Sequence, residues 1–166
     1  MRSKTASGAF SFFVILLIAL TGMSSVQGGE TLKGHSPMKV VFDFRDGVPE
    51  SALIHLQLVH ETYKDVAATA GSHKPEFAVV FMDKSVILLS KNRDKFTPEQ
   101  KDMLAQLDQT VSALAKDGVT LEVCVFAADF FGVDPKSYSP EIKQVKNGWI
   151  SSMGYQAKGY ALVPAY

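Results

Sequence analysis

Five short strand-like runs, spaced by stretches of helical periodicity, constrain this 166-residue chain more than any other feature. The runs are MKVVFDF (38–44), EFAVVFM (76–82), VTLEVCVF (119–126), EIKQV (141–145) and YALVP (160–164). The first three are rich in β-branched and aromatic residues and apolar almost throughout, the composition of strands buried on both faces. Between the first and second, Leu53, Leu56, Val59, Tyr63 and Val66 recur at the spacing of one helix face, from Glu50 to about Thr69, with Pro49 where a helix can start. Thr97-Pro98-Glu99-Gln100 opens another helix with the pattern of a capping box, and Met103, Leu104, Leu107, Val111 and Leu114 continue it to Gly118. A short helix is expected over 85–90, a short helix or turn region over 129–139, and a helix from Asn147-Gly148 to about Lys158. Strands alternating with helices predict a three-layer α/β/α sandwich around a mainly parallel sheet of about five strands.

The first 28 residues do not belong to this pattern. Arg2 and Lys4 precede an apolar run from Ala9 to Leu20, and small and polar residues follow. That order reads as a secretory signal peptide over 1–28 with cleavage near Gly28. The run is shorter than the roughly 20 residues of a membrane-spanning helix; retention as an N-terminal anchor is the alternative. Residues 29–37 (GETLKGHSP) read as a flexible lead-in, and 38–166 as one domain. Cleavage would leave 15 basic and 17 acidic side chains in a periplasmic or secreted protein with no membrane segment. Such a balance gives no basis for nucleic-acid binding, which draws on a basic patch.

Export gives weight to the one cysteine, Cys124, because a lone thiol cannot form an internal disulfide. It falls near the end of the third strand. In a parallel sheet, ligands collect beyond the carboxyl ends of the strands. A thiol at that rim can face the N-terminus of the following helix, where partial positive charge favours thiolate. Packing as a small buried hydrophobe is equally compatible with the position. Arg45, Asp46 and Asp129 stand in the loops after the first and third strands as candidate rim residues, or as turn and cap formers. The strand period puts Glu122 on the face of Cys124.

Other chemistries lack their residues. His55 and His60 are five apart, which does not align two ligands on one helix face, and no His/Cys/Asp cluster has metal-site spacing. There is no G-x-S-x-G elbow, P-loop or G-x-G-x-x-G turn, so neither a metal nor another cofactor is expected.

The stretch GVTLEVCVFAADFFGVDP (118–135) and the tail VKNGWISSMGYQAKGYALVP (145–164) resemble the DsrE/DsrF-like (YchN/TusD-like) family, with similarity over about 38–164. The resemblance implies homotrimers or hexamers. It also implies a persulfide on Cys124 passed between sulfur-donor and sulfur-acceptor proteins, a sulfurtransferase-type relay. Phe130-Phe131 stand where relay members often carry basic residues, and Met82-Asp83 where many have His-Gly. The alternative is a non-catalytic oligomeric binding or scaffold module with a structural cysteine.

Overall fold

The computed structural model describes residues 38–70 and 73–166; the expected signal peptide and lead-in lie outside them. Five strands form one sheet: β1 (Lys39–Phe44), β2 (Glu76–Phe81), β3 (Thr120–Cys124), β4 (Lys143–Val145) and β5 (Ala161–Ala165). Their spatial order is β4-β3-β2-β1-β5, and every neighbouring pair is parallel. The helices are α1 (Pro49–Thr69), α2 (Ser85–Leu88), α3 (Pro98–Asp117), α4 (Val125–Phe130) and α5 (Gly148–Ala157).

From β1 to β3 the chain advances in one direction, so right-handed crossovers place α1 and α3 side by side on one face. The return from β4 to the far edge carries α5 over the other face, where it touches β1, β2, β3 and β5. The result is the predicted three-layer sandwich. Val41, Val79, Val80, Phe81, Leu56 and Leu114 are fully buried in its core. Each such side chain contributes about 1.5–3 kcal/mol relative to exposure. His60 Nε2 meets Asp117 Oδ2 at 2.7 Å and Tyr63 Oη donates to the Asp117 carbonyl at 2.8 Å, which ties α1 to the end of α3. His60 is therefore part of the packing between helices.

The capping box is present in full. Gln100 N donates to Thr97 Oγ1, and the Gln100 side chain accepts from Thr97 N. Gly118 ends α3 in the left-handed region, at φ 93°.

Three local readings change. The third strand ends at Cys124, and Val125 and Phe126 already belong to α4. A β-branched and an aromatic residue look the same at a strand end and in the first turn of a following helix, so periodicity alone cannot separate them. The short helix after β2 closes at Leu88, and β4 has three residues. Pro164 is accommodated because β5 is an edge strand.

Candidate functional site

Parallel strands and short loops bring four connections to the carboxyl edge of the sheet: those after β1, β2, β3 and β4. They are laced together. Met82 N donates to the Phe44 carbonyl at 2.9 Å, and Ser85 Oγ is 3.0 Å from the Phe44 carbonyl and 2.6 Å from that of Met82. Gly47 packs so closely on the second loop that a Cβ there would lie 2.3 Å from Lys84 Cβ. Asp83 takes a positive φ of 54°, a conformation aspartate tolerates better than most residues.

Cys124 is the last residue of β3 and is 4% exposed. Its Sγ accepts a hydrogen bond from Gly148 N at 3.2 Å. The sulfur thus faces the N-terminus of α5, and not that of α4, the helix that follows it in sequence. Asn147 caps α5 by accepting from Trp149 N at 2.9 Å. A Cβ at Gly148 would sit 2.5 Å from Met82 Cγ and Sδ and 3.2 Å from Cys124 Cβ. Glycine is what lets the helix start against the thiol.

On its open side Cys124 lines a cavity of about 380 Å³ with Arg45, Met82, Asp83, Phe126, Ala127, Phe130, Phe131, Asn147 and Trp149. Phe126, Phe130 and Trp149 are largely exposed, so the cavity meets the surface among aromatic rings. Arg45 Nε and Nη2 donate to the two carboxylate oxygens of the buried Asp43, each at 2.8 Å. That hydrogen bonding, with the charges of Asp43 and Asp83, holds the guanidinium above its ordinary pKa against the opposing effect of burial. Behind the site, the Tyr138 hydroxyl is buried without a hydrogen-bond partner. Burial, then the neighbouring Cys124 and Asp129, raise its pKa.

Of the predicted rim residues, Arg45 lines the cavity with Cys124, while Asp46 and Asp129 do not. Asp46 Oδ1 accepts from Val48 N at 2.9 Å, forming the turn into α1. Its Oδ2 is 2.9 Å from His55 Nδ1, an ion-pair distance without hydrogen-bond alignment. Asp129 is exposed on α4. Sequence reasoning left out Asn147, Gly148 and Trp149. The rim rule applied to β4 as well would have found them, because the loop after any parallel strand reaches the same edge.

Glu122, one strand period before Cys124 and on the same face, is buried and accepts from Ser151 Oγ, from Tyr155 Oη at 3.3 Å and from Lys143 Nζ at 3.3 Å. With Lys146 and Lys158 these residues line a second cavity of about 390 Å³ along α5. Among the described residues no group of three His, Cys, Asp or Glu side chains could hold a metal, and no helix is long and apolar enough to cross a membrane.

A family model described as DsrE/DsrF-like family matches residues 59–164. An uncharacterised protein of Aquifex aeolicus (strain VF5) is 25% identical over 166 residues, which cover 99% of this chain and 66% of that protein's length. Among solved structures, a protein of unknown function from Methanobacterium thermoautotrophicum superposes with a TM-score of 0.59 at 19% identity, covering 76% of this chain and 98% of its own. The YchN protein from E. coli superposes with a TM-score of 0.50 at 10% identity over the same shares. At these identities the two structures speak to the fold.

Proposed function

The chain belongs to the DsrE/DsrF-like family, and from that premise we propose that it is an exported sulfur carrier using Cys124. The Cys124 thiolate attacks the outer sulfur of a sulfane donor. An Sγ–S bond forms, the donor's S–S bond breaks, and the donor leaves as a thiolate. An acceptor thiolate then attacks the bound sulfur, and Cys124 departs as thiolate. Each exchange leaves the oxidation state of the pair balanced, so no external oxidant is needed.

The observation that carries this reading is that Cys124, though buried, lines a cavity walled by exposed aromatic rings, and that its Sγ receives an N–H from Gly148. Hydrogen bonds to charged acceptors are stronger than those to neutral ones, so this donor supports negative charge on the sulfur during transfer. The basic n-region and apolar run at residues 2–20 support placing the protein in the periplasm or outside the cell. Exposed Ile150 and Met153 on α5 support assembly as a homo-oligomer, a trimer or hexamer in this reading.

Intact mass of the mature protein tests the proposal. Excess polysulfide or solubilised elemental sulfur should add whole sulfur atoms of about 32 Da, removable by an acceptor thiol. Cys124→Ser should abolish the gain. The near-complete burial of Cys124 favours a second reading, a non-catalytic oligomeric module with a structural thiol. A native thiol silent towards every sulfane donor and towards alkylating reagents would establish that one instead.

A further inference from the structure

Resting on the carrier reading of Cys124, we propose that its cavity takes sulfur from an uncharged, apolar sulfane-sulfur compound, with cyclo-octasulfur as the type, and disfavours anionic donors such as thiosulfate or tetrathionate. The walls set this preference. Met82, Phe126, Ala127, Phe130, Phe131 and Trp149 supply apolar and aromatic surface around the thiol. A small anion would lose its hydration against them, and burying a charge without compensating partners is costly.

One cation is present on the wall, and it is already answered. Arg45 gives Nε and Nη2 to Asp43 in a bidentate pair, and Asp83 lies on the same wall. Arginine and the two aspartates leave no surplus positive charge to hold a dianion. The cavity's volume of about 380 Å³ falls within the ~300–1,000 Å³ typical of small-ligand sites. Its mouth is made of exposed rings, with Phe130 77% and Trp149 64% exposed. Such a mouth suits a donor that is itself poorly hydrated.

The chemistry balances without a further reagent. Cys124 thiolate attacks one sulfur of the S8 ring, one Sγ–S bond forms and one ring S–S bond breaks. The electron pair of the broken bond ends on the terminal sulfur of the resulting chain, which therefore carries the negative charge. An acceptor thiolate then attacks a sulfur of that chain: a new S–S bond to the acceptor forms, one S–S bond of the chain breaks, and the electron pair leaves on the departing fragment. The last attack, on the sulfur bound to Sγ, releases Cys124 as thiolate.

The test uses the mature protein, intact-mass kinetics and the chain's single tryptophan, which lines the cavity. Cyclodextrin-solubilised cyclo-octasulfur is expected to load Cys124 faster than thiosulfate or tetrathionate at equal sulfane sulfur by a factor of about ten or more. In Cys124→Ser, which cannot react, the same compound should quench Trp149 fluorescence saturably, and thiosulfate should not. Phe130→Lys, a change at an exposed position, should narrow the preference by raising the rate with thiosulfate. Equal or faster loading from the anions, or no saturable quenching, overturns the inference and leaves the carrier standing. Failure of every donor to load Cys124 overturns the carrier reading itself.

Discussion

The amide of Gly148 donates to Cys124 Sγ at 3.2 Å across 24 residues of sequence, joining the end of β3 to the start of α5. The contact is possible because no Cβ intervenes. The site a Cβ would occupy is filled by Met82 Cγ and Sδ at 2.5 Å.

Gly148→Ala therefore sets two effects against each other. Helix propensity favours alanine by less than the roughly 1 kcal/mol of a helix interior, because Gly148 is the first residue of α5, and overpacking against buried Met82 costs about 1–3 kcal/mol. Net destabilisation is expected, with slower sulfur loading. Adding Met82→Ala should relieve the clash, so a double-mutant cycle should show coupling above about 0.5 kcal/mol. Additive losses in the urea-unfolding energies of the cycle would refute this account.

Gly47→Ala meets a less forgiving neighbour, because Lys84 Cβ, Cα and backbone carbon all lie within 3.3 Å of the new methyl. The loops after β1 and β2 would have to separate. The denaturation midpoint should fall, with a stability loss of about 1–3 kcal/mol and an unchanged m-value. A midpoint equal to that of the unmodified protein would show that the loops yield freely.

Glu122→Gln removes the charge on which Ser151, Tyr155 and Lys143 converge. Hydrogen bonds to charged groups are worth about 1.5–3 kcal/mol, so stability should fall by an amount of that order. The Tyr155 phenol is held above its ordinary pKa by burial first, and then by the Glu122 charge and hydrogen bond. In Glu122→Gln its ultraviolet titration should move to lower pH; an unmoved titration would mean that burial acts alone.

Tyr160 Oη donates to Glu76 Oε2 at 2.7 Å, and burial, then Glu76, push its pKa up from 10.0 to about 12. The folded chain thus keeps this proton at pH values where the unfolded chain has released it. Stability should fall as pH rises between about 10 and 12, the window set by those two values. Tyr160→Phe should remove part of that slope. The same slope in both proteins would rule out this linkage.

Much of this arrangement was legible in the residues themselves. Thr97 and Gln100 announced both halves of a capping box, and the two-residue strand period put Glu122 and Cys124 on one face. Cys124 was also placed at the rim of the sheet, but the partner of its sulfur was not. The rim rule names the helix next in sequence, while α5 reaches the thiol only because β4 pairs with β3. That pairing rests on three residues, Lys143, Gln144 and Val145, whose sequence carries little strand character. The aspartates at 46 and 129 illustrate the complementary difficulty. A short acidic side chain serves equally well in a turn, a cap or a ligand contact, and only coordinates decide which.

The crossover from β4 to β5 does two jobs at once. Its helix begins at the sulfur and ends by delivering the chain to the opposite margin of the sheet, where β5 pairs with β1. The wall over the thiol is consequently a tie-bar between the two outermost strands, and it cannot swing aside like a hinged flap without tugging on both borders. Traffic to Cys124 must pass through the aromatic side chains at the portal, whose rotamers can turn while the architecture stays still.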